Sequence, residues 1–263
     1  MTKVPSYVGA ACRARDLIAE LQIHDPSEIV IERIAPFKRA PVRYAPLEGC
    51  HGRMVRSDDT ALITVNEAIT RPGQRRMIIA HELGHVIMHP HIKQMDEVDV
   101  TQTRNFNHHQ RPEELEANYF AAELLMPKQF FQPEVNRCEP GWAAIRQLAN
   151  RYQTTQSAAA IQFVHFSKEP VILVASENGT RRWYVMGDQA LDFYPREDES
   201  VHRYSCANVL LQGTGTQERA KDVPAGMWLR GYAPNGKEYI TEDSMRARDS
   251  RFVLTLLWVH EAI

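Results

Sequence analysis

Apolar residues recur along this chain with two different periods. From residue 6 to 22 the spacing is helical, with Ala10, Ala11, Ile18 and Leu21 on one side, and predicts an amphipathic packing helix. Short β-type runs follow at 29–34, 42–44, 52–55 and 61–65, interrupted by proline and glycine. Over 73–90 the apolar positions (Met77, Ile78, Ile79, Ala80, Leu83, Val86, Ile87 and Met88) go nearly all the way round a helix, which marks it as buried. Thr70 suits its cap, Pro72 its first turn and Pro90 its stop. The polar stretch over 91–111 shows little periodicity and predicts a long loop of the kind that serves as a lid or binding loop.

Pro112 opens a second helix, PEELEANYFAAELLM, closed by Pro127, in which Glu114, Asn118, Ala121, Ala122 and Leu125 form one stripe. Two more helices are predicted over 141–152 and 157–166, with a turn around 153–156. From Pro170 the texture changes. VILVAS, RRWYVM, ANVLLQ, GMWLRGYA, KEYI and RFVLTLLWVH read as short strands between turn residues. The expected fold is α+β, divided into a first domain over 1–138, a helical helix-turn-helix-like segment over 139–168 and a strand-rich domain over 169–263. On these limits residues 1–168 should fold alone.

Composition narrows the classes. Apolar content of 43% and charged content of 24% are those of an ordinary globular protein. A net charge of -2 and a pI near 6.6 give no basic field to attract nucleic acid. No run of about 18 apolar residues predicts a membrane span, and arginines occupy the place of a signal peptide's apolar core. Cys12, Cys50, Cys138 and Cys206 are scattered without a C-x-x-C, which points to free thiols in a reducing cytoplasm.

The chemistry concentrates on the buried helix, which carries His81-Glu82-Leu83-Gly84-His85, an H-E-x-x-H sequence. Histidines four apart share one helix face and can grip one zinc ion, with Glu82 beside them to take a proton from water. The bland alternative is a chance match, since the chain holds eleven histidines. Against it, adjacent ionisable groups on an apolar helix are costly unless a metal or a network satisfies them.

A catalytic zinc held this way needs a third protein ligand and an open position. Glu114, at the leading end of the apolar stripe, is expected to be that ligand, in preference to Glu116, which aligns with Phe120 and Glu123. Asn118, one turn later, is placed to accept a hydrogen bond from a ligand histidine. His89 continues the histidine face but lies about 12 Å along the axis from His81, too far for both to bind one ion. It is read as a residue of the cleft rim or as a structural histidine. His108, His109 and Arg111, at the end of the polar stretch, are candidates for stabilising an oxyanion, or solvated loop residues. Cys50, His51, Gly52 and Arg53 begin the run proposed as a strand edge that holds an extended substrate, or a plain sheet strand.

IIAHELGHVIMH followed by EELEANYFAAELLMP resembles the ImmA/IrrE family of bacterial metallopeptidases, and the likeness extends over about residues 5–165. The resemblance implies a zincin-like protease core with a glutamate as third zinc ligand. It also implies cleavage of a helix-turn-helix repressor, which switches on stress-response or mobile-element genes. A GAF-like sensory domain follows the protease in some members, which is the expectation for 169–263, with a structural or dimerising appendage as the alternative. One departure is Asn118, where related patterns carry aspartate four residues after the ligand glutamate.

The reading is an intracellular zinc metalloendopeptidase, with manganese as the alternative ion in the cell, a repressor protein as partner, and neither nucleic acid nor membrane bound directly. Its rivals are a zinc-containing regulator that sequesters a repressor without cutting it, and a DNA-binding transcription regulator. The second is disfavoured because 157–166 offers only Gln162 and His165 to a groove.

Overall fold

In the computed structural model of the protein, which describes residues 7–97, 111–213, 220–247 and 252–260, the elements run α1 (Tyr7–Glu20), α2 (Ile31–Phe37), β1 (Val42–Ala45), β2 (Gly52–Ser57), β3 (Thr60–Asn66), α3 (Pro72–Met88), β4 (Gln94–Glu97) and α4 (Pro112–Leu125). They continue with α5 (Lys128–Val135), α6 (Trp142–Arg151), α7 (Gln156–Phe166), β5 (Val171–Glu177), β6 (Thr180–Met186), α8 (Cys206–Gln212), β7 (Lys221–Pro224), β8 (Tyr239–Arg246) and β9 (Val253–Val259). The class is mixed α+β. Contacts divide the chain into a first unit, Met1–Phe130 with Ala149–Thr155, and a second, Phe131–Leu148 with Gln156–Ile263. Among the described residues no helix is long and apolar enough to cross a membrane.

The first unit is built on a sheet of order β1-β3-β2-β4, with β1 parallel to β3 and β2 antiparallel to both its neighbours. Its core joins Met54, Ile63 and Val65 of the sheet to Ile78, Ile79 and Leu83 of α3, Phe120 and Leu124 of α4, and Ala14 and Leu17 of α1. Helix α3 lies against β2 and β3, and α4 packs on both α3 and α1. Two devices hold these helices. Arg15 Nε donates to Glu123 Oε1 at 2.7 Å, tying α1 to α4. From β2, Arg56 donates to the carbonyls of Val86 at 2.7 Å and Ile92 at 3.3 Å. It thereby satisfies the end of α3, where carbonyls lack helical partners and attract cations.

Gly84 sets how closely α3 and α4 approach. A Cβ there would lie 3.2 Å from Ala117 Cα and 3.2 Å from Phe120 Cδ1, inside ordinary contact distance. The glycine in the H-E-L-G-H stretch therefore answers to helix packing.

Several expectations are corrected. The run at 29–34 is not a strand: Ile31, Ile34 and Ala35 are buried at i, i+3 and i+4 of α2. Preceding α2, Asp25 and Glu28 form a capping box on a short helical turn. Thr70 does not cap α3, whose N-cap is Arg71 with no side-chain hydrogen bond, so Pro72 opens the helix alone. The stretch after Pro90 is not wholly loop, because β4 adds to the sheet.

The second unit has an antiparallel sheet of order β6-β5-β9-β8-β7. Strand β5 is buried at all seven positions, so both its faces are covered. Helix α7 lies against β5 and β6, and α8 against β8 and β9. Trp142 at the start of α6 donates from its backbone N to Asp243 Oδ2 (2.8 Å) and from Nε1 to Asp243 O (2.9 Å), fastening that helix to β8. Next along β8, Glu242 accepts from Ala207 N at 2.8 Å, and burial pushes its carboxyl upward. Two predicted strands are absent. ANVLLQ lies in α8, capped by Ser205 Oγ, and GMWLRGYA begins with a short helical turn at Ala225–Met227.

This division falls elsewhere than the limits expected at 138/139 and 168/169. Most of α5 to α7 counts with the strand-rich region, and α6 runs across a limit.

Two outcomes follow from these contacts. Gly84→Ala should destabilise the chain by about 1 kcal/mol, because overpacking (typically about 1–3 kcal/mol) outweighs the gain in helix propensity of about 1 kcal/mol. Denaturant unfolding measures it, and a more stable variant would contradict close packing at Gly84. A chain cut after residue 168 exposes Trp142 and Phe163, both 0% accessible in the intact fold. It should bind a hydrophobic dye and lose near-ultraviolet circular dichroism. A sharp, cooperative melt of the shortened chain would show that the sheet is dispensable.

Candidate metal centre

The helical repeat of α3 and its close approach to α4 bring three side chains together. His81 Nε2 lies 3.0 Å from His85 Nε2 and 3.2 Å from Glu114 Oε2, while His85 Nε2 is 3.7 Å from Glu114 Oε1. All three donor groups fall within 4.8 Å of one another. Zinc bonds of about 2.0–2.2 Å at tetrahedral angles put neighbouring donors about 3.3–3.6 Å apart, which these spacings bracket. The histidines are 2% and 0% accessible, and the Glu114 side chain 16%, so the open side of the group is the glutamate's.

Hydrogen-bond direction makes a cation fit. His81 Nδ1 is 2.9 Å from Asn118 Oδ1, an oxygen that only accepts. The Nδ1–H of His81 therefore donates, and a neutral ring presents a bare Nε2 to the other donors. A lone pair, a second imidazole nitrogen and a carboxylate facing one point repel unless a positive charge lies among them.

Electrostatics agree. Burial pushes His85 down to about 4 against the upward pull of Glu114, so its ring is neutral at physiological pH and free to ligate. Burial alone would raise the Glu114 carboxyl. The two imidazoles that face it outweigh burial and hold the group well below the usual carboxylate range. Glu82, 0% accessible, sits between the two histidines in sequence and completes the buried polar face of α3.

Other candidates lie elsewhere. His89 is not on a cleft rim. It is 0% accessible, with Nδ1 3.1 Å from His85 Nδ1 and Nε2 2.9 Å from Glu116 Oε2. Glu116 is accordingly in the same buried cluster without reaching the three-donor group. The α4 burial is broader than the expected stripe: Ala121 and Leu125 of that stripe are buried, as are Glu116, Ala117, Phe120 and Leu124, while Glu114, Asn118 and Ala122 are only partly so. Arg111 is the exposed N-cap of α4, and His108 and His109 lie outside the described residues.

The run holding Gly52 and Arg53 is not an edge. It pairs with β3 on one side and β4 on the other, and β4 takes the edge position instead. Four residues with a polar start gave no alternation from which to predict β4. Cys50 and His51 precede β2, in a loop organised by Asn66, whose Nδ2 donates to Leu47 O (2.8 Å) and Cys50 O (2.9 Å). Neither belongs to the three-donor group. A cleft of about 280 Å³ beside Pro72, Arg75, Arg76 and Tyr44, at the other end of α3, also contains none of the three donors.

Comparison with known proteins gives, among others, these likenesses. The family model described as IrrE N-terminal-like domain, of peptidase family M78, matches residues 39–163. The radiation response metalloprotease IrrE of Deinococcus radiodurans is 25% identical over 179 residues, which are 68% of this chain and 53% of that protein. The chain thus spans about half the length of this curated relative. A solved structure, a Mycobacterium tuberculosis transcriptional regulator, superposes with a TM-score of 0.62 over 97% of this chain and 92% of that one, at 13% identity, which speaks to fold alone. The matched segment holds α3 and α4 with all three convergent donors, so the part of the chain that carries the candidate metal centre is similar to the IrrE N-terminal-like domain of peptidase family M78.

Proposed function

We propose that the chain is a zinc metalloendopeptidase that cuts a helix-turn-helix repressor and thereby derepresses stress-response or mobile-element genes. The observation that carries this reading is the convergence of His81, His85 and Glu114 within 4.8 Å, with Glu82 in the same helical turn. The name of the Deinococcus relative, a radiation response metalloprotease, supports the metalloprotease activity and the stress-response setting. Zinc is the ion proposed, with manganese as the cellular alternative, held by His81, His85 and Glu114 and supported by Asn118.

When bound, zinc supplies Lewis acidity, lowering the pKa of a water toward about 7 and polarising the scissile carbonyl. Glu82 takes the proton of the attacking water and passes it to the leaving amine. Asn118 holds the His81 ring in one tautomer. Burial of both histidines excludes bulk water from their side of the site. The first unit is proposed as a zincin-like core, and the strand-rich region as a GAF-like sensory element, a suggestion supported by its antiparallel sheet and its place after the protease. Direct DNA contact through α6 and α7 is not part of the proposal, because Gln162, one of the two side chains that 157–166 could offer to bases, is 6% accessible. The setting proposed is the cytoplasm, in keeping with four free cysteines.

Metal analysis tests the ligands. The purified chain should carry about one zinc equivalent, lost in His81→Ala, His85→Ala and Glu114→Ala and kept in Glu82→Gln. Full metal in Glu114→Ala would remove the glutamate from the ligand set.

Catalysis is tested by Glu82→Gln with a candidate repressor. General-base assistance is worth about 10²–10⁴-fold in rate, so the variant should bind the repressor as wild type does and cut it slower by about that factor. Fragments and affinity are measured in parallel. If wild type and variant release the repressor from DNA equally while it stays intact, the protein sequesters and does not cut.

A further inference from the structure

We infer that His89 and Glu116 are positioning residues for His85: they fix its tautomer so that Nε2 faces the metal as a bare lone pair. The inference rests on the metal-centre reading above and extends it to two residues outside the ligand set.

The direction of each bond follows from what each atom can do. Glu116 Oε2 lies 2.9 Å from His89 Nε2, and a carboxylate oxygen only accepts, so His89 Nε2–H donates. A neutral His89 then carries its lone pair on Nδ1, 3.1 Å from His85 Nδ1. That atom accepts, so His85 Nδ1–H donates and its Nε2 is left without a proton. His85 Nε2 is the atom that meets His81 Nε2 at 3.0 Å in the donor group. Reversing His89 would place its proton on Nδ1, push the His85 proton to Nε2 and block ligation. Glu116 selects against that reversal.

The arrangement is built for this. His85 and His89 are one turn apart on α3, Glu116 reaches them from α4, and the three are 0%, 0% and 2% accessible. At that depth bulk water does not compete for these bonds, so each direction is set by the protein. His81 obtains the same orientation from Asn118 Oδ1. Partners that orient a metal-ligating histidine are commonly worth about 10–100-fold in metal affinity.

The test is zinc affinity of the whole chain by chelator competition, with the cobalt-loaded protein's visible absorption as a second readout. Glu116→Leu should weaken zinc binding by about 10–100-fold. Glu116→Gln, whose amide can turn either end to His89, should lose less but measurably. The decisive variant is Glu116→Leu combined with His89→Asn. The asparagine oxygen stands near the lost Nδ1 and accepts from His85, so affinity should recover relative to Glu116→Leu although no charge is restored. A role in packing or in bulk charge predicts the opposite, because the double variant removes still more.

At saturating cobalt the band should keep its wild-type position in every variant, since the ligand atoms are unchanged. Wild-type affinity in both Glu116 variants, a double variant weaker than Glu116→Leu, or a shifted cobalt band each overturns the inference. Should Glu116→Leu fail to fold, by circular dichroism, Glu116→Gln decides alone, and undiminished affinity overturns it. A wild-type chain that binds no zinc overturns the metal centre itself, and this inference falls with it.

Discussion

Imidazole and carboxylate groups buried between two touching helices must recover the solvation they lose, and the first unit is arranged around that requirement. His81, Glu82, His85 and His89 lie on α3 and Glu116 on α4, each at most 2% accessible. The helices can bring such groups into hydrogen-bond range only by approaching closely, and the missing side chain of Gly84 permits that against Ala117. Everything else holds the approach in place. Arg56 from β2 satisfies the last carbonyls of α3, Arg15 from α1 pairs with Glu123 of α4, and the sheet backs α3 with Met54, Ile63 and Val65. Once the positions are fixed, solvation is recovered by the bonds between His81 and Asn118, His85 and His89, and His89 and Glu116.

What the sequence made legible divides along physical lines. Helices opened by Pro72 and Pro112 were readable because proline marks a first turn and because their apolar spacing is dense. The pair His81 and His85 followed from the helical repeat alone. The choice of Glu114 over Glu116 used a stripe that α4 buries only at Ala121 and Leu125, yet the structure does bring Glu114 to the histidines. Glu116 was set aside for aligning with Phe120 and Glu123, and all three are buried, because two partners, α1 and α3, flank α4 and leave it no polar face. The cluster of His89 and Glu116 was invisible for a related reason: it joins residues 27 apart in sequence through packing that no local spacing encodes.

Strands were harder to read. Residues 29–34 and 207–212 are rich in apolar β-formers and read as strands, but Ile31, Ile34 and Ala35 bury one helical face of α2, and Ser205 caps α8. β4 has four residues and exists because β2 offers it an unpaired side. Its presence moves the sheet edge away from Gly52 and Arg53, so an error about one short strand became an error about a candidate binding surface. The change of texture at Pro170 correctly marked the strands β5 and β6, but the helices before it share buried residues with that sheet, as the two bonds from Trp142 to Asp243 show.

The supports of the two histidines are unequal in kind. His81 leans on a neutral amide, whereas His85 leans on a second imidazole that is itself tied to a carboxylate. A carboxylate behind an imidazole increases its electron donation more than an amide does. In a site where both rings face one ion, that difference makes His85 the stronger donor and His81 the weaker one. The position on α4 one turn after Glu114 holds asparagine where related patterns hold an acid, so the negative charge that would stand behind His81 is absent from that side. Glu116 supplies a charge on the other side, at one remove, through His89. The proposed site would thereby keep its negative charge to Glu114 within the donor group and Glu116 behind it, with Glu82 left for the proton it is proposed to carry. An aspartate at 118 would add a second carboxylate to the His81 ring that Glu114 already faces, and like charges that close raise one another's pKa. The amide orients the ring without that cost, and this gives asparagine at 118 a physical reason once Glu116 already serves the other histidine.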